Sequence, residues 1–523
     1  MAFPTFERPN IIILMTDQQR AIQHFPEDWV TKNLPNLNRL KQTGITFKNA
    51  QTSTCACSPA RATLWTGLYP STNLVYQVGQ DLPVNPRNKL NIIGNVLKTA
   101  GYRVIYKGKW DLTDSLFATP SCDIPRLQIP TSEQQQTIQS EDTYMLGNWQ
   151  LDGWLAPDSG TSVKARQDGL HTLGGSFANN DGRYVSGPSL LSSQQTAIEF
   201  LAENQNPDRP FCLIVSLVGP HDVWVYPDVF NQGETTFPSA FENYQGFELP
   251  VSYYQDDLTT KPWAQSNFLN KEGGKLSEED ALNYVKFYAY LYTLTDGHFG
   301  HVLDAISDSL WDNTIVIRLA DHGEMGMAHN GLKEKQNTVY REALNVPLIF
   351  SNPKWIPEGE GIEIDSLVGL VDVLPTLAAI AGLSESEREK FAFQGIDFSQ
   401  TLLDPSHPTQ DSLLFSYGNG IDDTSVSPPG NINAIRCLRT AEWKYAVYYA
   451  SENSIGEIIT SSNFQYELYN IKDDPEELTN LLPVGGIASP EAKAEQKQLH
   501  QMLTDKLQQT QTMPANWPIT VSD

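Results

Sequence analysis

The sequence predicts an α/β protein: a large, mostly parallel sheet covered by helices on both faces, then a small C-terminal α+β unit with an antiparallel sheet and a helix. Three observations carry this. Five short apolar runs, at residues 10–15, 103–106, 211–218, 314–319 and 346–350, are rich in β-branched residues and do not alternate, as befits strands buried on both faces. Helical patterns lie between them, at 91–99 ahead of the second run and 192–203 ahead of the third, and alternating strands and helices build parallel sheets. Beyond about Leu403 the pattern changes to strands at 435–440, 444–449 and 467–470, a Lys472-Asp473-Asp474-Pro475 turn and an amphipathic helix at 491–507. The chain therefore divides into residues 1–405 and 406–523. Two stretches of the larger unit, about 113–188 and 221–275, read as long insertions. Their aromatic residues Trp149, Trp154, Trp224 and Tyr226 suggest either a lining for a ring-bearing ligand or stacked core.

Composition narrows the function. The 523 residues are 40% hydrophobic and 10% aromatic, enough for a large core. With 36 Lys+Arg against 62 Asp+Glu, the net charge is −26, which a nucleic-acid backbone would repel. Anionic small molecules should be disfavoured too, unless a metal or a local cluster of cations overrides the global field. Five cysteines, an odd and small number, argue against a disulfide framework. The run Ile11-Ile12-Ile13-Leu14-Met15 is too short for a signal-peptide core, and nothing approaches the ~18 apolar residues of a membrane span. The expectation is a cytoplasmic protein with reduced thiols. Its oligomeric state, homo-oligomer included, stays open.

The residues just past the strands carry the chemistry, because ligands of parallel α/β sheets bind beyond the carboxyl ends of the strands. The first run ends in Thr16-Asp17-Gln18, the second in Lys107-Gly108-Lys109-Trp110-Asp111, the third in Pro220-His221-Asp222 and the fourth in Asp321-His322-Gly323-Glu324. Any one Asp after a strand is commonly a helix cap. Four charged or metal-competent ends on one sheet edge are not explained that way. Asp17, Asp321 and His322, with the Gln18 amide oxygen, form a mainly oxygen-donor set suited to Ca²⁺, Mg²⁺ or Mn²⁺ rather than zinc. A fifth element is Cys55-Ala56-Cys57-Ser58-Pro59-Ala60-Arg61, closed by Gly67. Pro59 suits the first position of a helix and Gly67 its end. Cys57 then sits at the helix N-terminus with Arg61 one turn on, a setting for a reactive thiol of low pKa; an ordinary capped helix with a buried thiol is the competing reading.

Cys57-Ser58-Pro59-Ala60-Arg61 followed by Leu64-Trp65-Thr66-Gly67 resembles the Cys-x-Pro-x-Arg motif of type I sulfatases, members of the alkaline phosphatase superfamily. The likeness continues through Gly108-Lys109-Trp110, Pro220-His221, Asp321-His322-Gly323-Glu324, Lys335, Val346-Pro347, residues 372–377 and residues 439–445, so it spans nearly the whole chain. It implies hydrolysis of an organic sulfate monoester, an alkaline-phosphatase-like mixed sheet, and conversion of Cys57 to formylglycine by a formylglycine-generating enzyme. It also implies a divalent cation, by preference Ca²⁺, on Asp17, Gln18, the modified Cys57, Asp321 and His322. Arg61 would hold the formylglycine hydrate, Lys109 and Lys335 the sulfate oxygens, and His221 would protonate the leaving group. Lys333 rivals Lys335, because the spacing in Gly331-Leu332-Lys333-Glu334-Lys335 permits a slip, and His329 reads as a loop histidine. Gln18 stands where many members have Asp. Asp111 stands where they have the histidine that helps expel sulfate, so a carboxylate would have to serve as that base. Two other readings stay open: a phosphonate monoester hydrolase or phosphodiesterase of the same superfamily, and a non-catalytic ligand-binding relative with an unmodified Cys57.

Overall fold

The computed structural model of the chain describes residues 3–80, 82–83, 90–113, 132–154, 181–187, 195–227, 239–418, 432–452, 458–460 and 463–521. Seven strands, β1 (Asn10–Asp17), β2 (Gly44–Gln51), β3 (Arg103–Gly108), β4 (Phe211–Pro220), β5 (Thr314–Ala320), β6 (Leu348–Ser351) and β7 (Ile362–Gly369), form one sheet in the order β3-β4-β1-β5-β6-β2-β7. Only β6 runs against its neighbours β5 and β2. The four strands read as carrying site residues, β3, β4, β1 and β5, are adjacent and parallel, so their C-terminal ends lie along one edge.

β1 shows why these residues make this sheet. All eight of its residues are buried, and alternate side chains enter separate cores. Ile11, Ile13 and Met15 meet Ala62, Leu64, Trp65 and Leu377 on one face. Ile12 and Leu14 meet Tyr284, Tyr288, Val302 and Leu303 of the helix Glu278–Asp304 on the other. Each such Ile or Leu contributes about 1.5–3 kcal/mol by leaving water. The long helix is capped by Ser277, whose side chain accepts from the Asp280 amide, with Glu278, Glu279 and Asp280 favourably placed at its positive end.

A second, antiparallel sheet contains β8 (Leu413–Gly418), β9 (Ala434–Arg439) and β10 (Trp443–Tyr449). A two-residue ribbon, β11 (Ser451–Glu452) with β12 (Ile458–Ile459), precedes β13 (Gln465–Asn470), and the sheet order is β13-β10-β9-β8. One face packs Leu438, Tyr445 and Val447 against Leu499, Leu503 and Leu507 of the helix Pro490–Gln509. The other packs Phe415, Ile435, Cys437 and Tyr448 against Met325, Ala328, Leu332 and Tyr340. The second sheet thus buttresses the loop that follows β5 and carries Lys335.

Several expectations need correction. Strands β2, β7 and β8 were not foreseen. Pro59 is the third residue of the helix Cys57–Thr66, not its first, although Gly67 does end it in the left-handed region at φ 68°. The helix expected at 192–203 is described as Ala197–Glu203, and residues 192–194 of that expectation lie outside the described residues. Of the two readings for the insertion aromatics, Trp149 and Trp154 follow the stacked-core one: both are buried, Trp149 against Trp110 and Trp154 against Tyr106. Tyr226 packs on Phe241 and Phe287, and Trp224 lies beside His221. Of the insertion 113–188, residues 114–131, 155–180 and 188 lie outside the described residues, Cys122 among them. Cys55, Cys57, Cys212 and Cys437 are free and buried. No helix among the described residues is long and apolar enough to cross a membrane.

Candidate active site

The strand ends and the helix Cys57–Thr66 converge. Asp17, Cys57, Asp321 and His322 each offer a ligand atom, these atoms lie within 4.8 Å of one another, and all four residues are buried. Their orientation is held by Arg61. Its Nε donates to Asp321 Oδ2 (2.9 Å), its Nη2 to Asp17 Oδ2 (3.2 Å), and its Nη1 to the Lys109 carbonyl (2.6 Å) and Ser216 Oγ (2.9 Å). Each aspartate therefore spends one oxygen on Arg61 and turns the other elsewhere. Asp17 Oδ1 faces Cys57 Sγ at 3.6 Å, while Asp321 Oδ1 accepts from the amides of Gln18 (3.0 Å) and His322 (2.9 Å).

His322 tests the fit of this cluster to a cation. Its Nδ1 lies 3.0 Å from the Gly323 carbonyl, which can only accept, so Nδ1 carries the proton. The Nε2 lone pair then points at Cys57 Sγ (3.3 Å) and Asp17 Oδ1 (3.7 Å). A neutral imidazole oriented through its far nitrogen is how proteins present a metal ligand. Burial lowers the His322 pKa and favours that neutral form. Two carboxylates, an imidazole and the position-57 side chain fit a hard divalent cation.

An anion-binding half adjoins it. Lys109 Nζ is paired with Asp17 and stands 4.0 Å from Asp111 Oδ2. Lys335 Nζ bonds the Gln18 side-chain oxygen and Glu334 Oε2, the latter at 2.7 Å. Although burial works against charging both lysines, Asp111 and Asp17 raise the pKa of Lys109, and Glu334 raises that of Lys335. Burial would also raise Asp17, but Lys109, His221 and Arg61 hold it well below the usual carboxylate range. Lys333 turns away and bonds the Glu272 carbonyl at 2.9 Å. Gln18, at φ 61°, points its amide nitrogen at Glu324, a buried carboxylate that also accepts from Tyr284 and the amides of Gly326 and Glu334.

The thiol differs from the sequence expectation. Burial pushes the Cys57 pKa up to about 12, with Asp17 adding to the rise against Lys109 and Lys335. Sitting first in its helix does not compensate for losing water beside a carboxylate, so the low-pKa thiolate is overturned. Asp111, at φ 62°, accepts from Ser58 Oγ at 2.9 Å, and Ser58 Oγ in turn accepts from the Gly79 amide at 2.9 Å. Burial raises the Asp111 pKa, making it a better base than an ordinary carboxylate. His221 follows β4, with Nδ1 4.0 Å from Asp222 Oδ1 and Trp224 beside it. Burial holds His221 well below its usual range, helped by Lys109 and Lys335 and opposed by Asp17. His329 lies apart, with Nδ1 2.6 Å from Asp256 Oδ2 and its ring stacked on Tyr340. Ser58, Ser216 and Tyr284 were assigned no part by the sequence; Ser216 faces Arg61 from inside a strand, where nothing in an apolar run marks it.

The fold is of the alkaline-phosphatase-like type. The chain belongs to the sulfatase family: the family's model, Sulfatase, matches residues 9–383, which takes in every side chain of the cluster. An uncharacterized sulfatase of Escherichia coli (strain K12), YidJ, is 26% identical over 489 residues, covering 91% of this chain and 83% of that protein. Arylsulfatase K of Bos taurus is 26% identical over 497 residues, covering 91% of this chain and 78% of the relative. Among solved structures, a 2-O GAG sulfatase superposes with a TM-score of 0.65 at 20% identity, covering 97% of this chain and 93% of the other. Phosphonate monoester hydrolase of Agrobacterium radiobacter superposes with a TM-score of 0.62 at 20% identity, covering 96% of each. At such identities the structural likeness speaks for the fold.

Proposed function

We propose that this sulfatase-family enzyme hydrolyses an organic sulfate monoester, aryl or alkyl, to an alcohol and inorganic sulfate, with Cys57 acting after conversion to formylglycine. The observation that carries this reading is the convergence of Asp17, Cys57, Asp321 and His322 beside Lys109 and Lys335. It gathers ligands for a cation and donors for an anion around one side chain.

Asp17, Asp321, His322 and the modified residue 57 would hold one divalent cation, Ca²⁺ by preference; Gln18 sits at the margin of that set, its oxygen engaged by Lys335. The cation supplies Lewis acidity at the developing charge. The aldehyde hydrate at position 57 supplies one hydroxyl to attack sulfur and a second to expel sulfate, an exit that a plain thiol lacks. Arg61 keeps both aspartates aimed inward and lies against the hydrate's site. Asp321 takes the proton of the attacking hydroxyl. Lys109 and Lys335 donate to sulfate oxygens, a type of contribution worth roughly 10²–10³-fold per donor. His221 gives a proton to the leaving alcohol oxygen. A bound sulfate ester brings negative charge beside His221 and opposes the burial that keeps it neutral. Asp111, held by Ser58, takes the proton from the second hydroxyl. In this reading residues 1–405 carry the chemistry, 406–523 form a supporting subdomain, and a formylglycine-generating enzyme is the partner required for maturation.

The fold shared with a phosphonate monoester hydrolase, together with Asp111 where sulfatases usually have histidine, favours a second reading: hydrolysis of phosphonate monoesters or phosphodiesters. Turnover of an aryl sulfate and of an aryl phosphonate by protein co-expressed with the formylglycine-generating enzyme separates the two. A higher kcat/KM on the sulfate is expected; a higher value on the phosphonate would replace this assignment.

A further inference from the structure

Strand β4 outruns both neighbours. β3 ends with Gly108 opposite Ser216, and β1 pairs Thr16 with Leu217 before its register breaks and Asp17 meets Pro220. The buried N–H groups of Val218 and Gly219 fall in that break, where the ladder leaves them without strand partners. Asp181 takes both: Val218 N–H donates to Oδ1 and Gly219 N–H to Oδ2, each at 2.9 Å. The Asp181 side chain is itself fully buried. Its backbone is tied down as well, because the Asp181 carbonyl accepts from Tyr184 N–H at 3.1 Å, and Tyr184 and Val185 are buried. Two residues past the clamped amides stands His221, first in the turn His221–Val225.

We propose that Asp181 is a positioning residue for His221, its carboxylate fixing the exit of β4 so that the imidazole reaches the leaving-group oxygen of the substrate. This rests on the reading of His221 as the group that protonates the leaving alcohol. A bidentate carboxylate on two consecutive amides determines the direction of the peptide that follows. One hydrogen bond would leave the Gly219-Pro220 segment free to rotate about it. The reaction class is unchanged; what Asp181 controls is how well a proton reaches an alcohol that leaves reluctantly.

The test exploits leaving-group acidity, to which a purely structural role is indifferent. In the full-length, formylglycine-bearing enzyme, kcat/KM is measured on para-nitrophenyl sulfate and on phenyl sulfate for wild type, Asp181→Ala, His221→Ala and the double variant. General-acid assistance matters most for the poorer leaving group. Asp181→Ala and His221→Ala should therefore each reduce the rate on phenyl sulfate at least ~10-fold more than on para-nitrophenyl sulfate. The double variant should show the same selectivity as His221→Ala alone. If the alanine variant does not fold, Asp181→Asn carries the comparison, since it keeps the volume and one acceptor while presenting an N–H to the second amide. Equal losses on both substrates for the Asp181 variant, with His221→Ala still selective, overturn the positioning role alone. Equal losses for His221→Ala overturn the acid role of His221 and the positioning role with it.

Discussion

Arg61 distributes four hydrogen bonds over Asp17, Asp321, the Lys109 carbonyl and Ser216, and it is fully buried. Removing it takes a charged donor from each of two buried carboxylates, so Arg61→Ala should lower stability by about 3–5 kcal/mol, read from the denaturant midpoint. Arg61→Lys should recover only part of this, because an ammonium cannot span both aspartates and Ser216. A loss under ~1 kcal/mol would show that the aspartates do not depend on Arg61. At this scale much of the site was legible. Asp17, Lys109, His221, Asp321 and His322 follow buried strands in the sequence itself, and parallel strands bring their ends together. What stayed hidden was pairing. Asp181 sits beside a polar stretch with no periodic signal, and Ser216 inside an apolar strand, so their partners appear only when the strands are laid side by side. The state of the Cys57 thiol was hidden for a related reason. The helix terminus is visible in the motif, whereas the carboxylate of Asp17 opposite it is not.

Among the elements, β3 depends on a glycine at its last position. Gly108 has φ 110°, and a Cβ there would lie 1.8 Å from the Ser216 carbonyl oxygen of β4. Gly108→Ala must push the strands apart or abandon that conformation, at a cost of at least about 1–3 kcal/mol in backbone strain alone. Lys109 and Asp111 follow directly. The variant should accordingly lose activity out of proportion to its fall in Tm; a soluble variant with wild-type kcat/KM would contradict the close approach. Strand patterning explains which elements could be read. β1, β4 and β5 are buried throughout and stand out as apolar runs. β7, with Glu363 and Asp365 exposed in alternation at the sheet edge, resembles polar loop, and β2 carries Lys48 and Asn49 in its middle.

Across the molecule, His329 joins the large sheet's loop to the rest. It is buried between Asp256 and Glu342 and stacked on Tyr340, which also contacts Tyr469 of β13. Burial lowers its pKa, but the hydrogen bond it donates to Asp256 and the nearby charge of Glu342 outweigh this and raise it to about 9. A pKa raised in the folded state stabilises it fully below the unfolded value of about 6.5. That stability is lost as pH rises from there through about 9. It amounts to roughly 3 kcal/mol, so Tm should fall over that window and His329→Gln should flatten the fall. An equally steep profile in the variant would assign the loss to other groups. The proposed cation would act on the whole chain as well. At a concentration ~100-fold above Kd it adds about 2.7 kcal/mol, so chelation should lower Tm and Ca²⁺ restore it. An unchanged Tm would dissociate the Asp17, Cys57, Asp321 and His322 cluster from metal. In the proposed reading a net charge of −26 is reconciled with an anionic substrate by the cation acting together with Arg61, Lys109 and Lys335, because those three side chains are already matched by Asp17, Asp111, Asp321 and Glu334.

The central claim is that residue 57 acts as formylglycine. The direct measurement is the intact mass of the peptide carrying Cys57, from protein co-expressed with the formylglycine-generating enzyme, alongside sulfate-ester turnover by Cys57→Ala. The account predicts the mass of the aldehyde in place of the thiol, and turnover reduced to background in the variant. An intact thiol, with Cys57→Ala hydrolysing sulfate esters as fast as wild type, would contradict it.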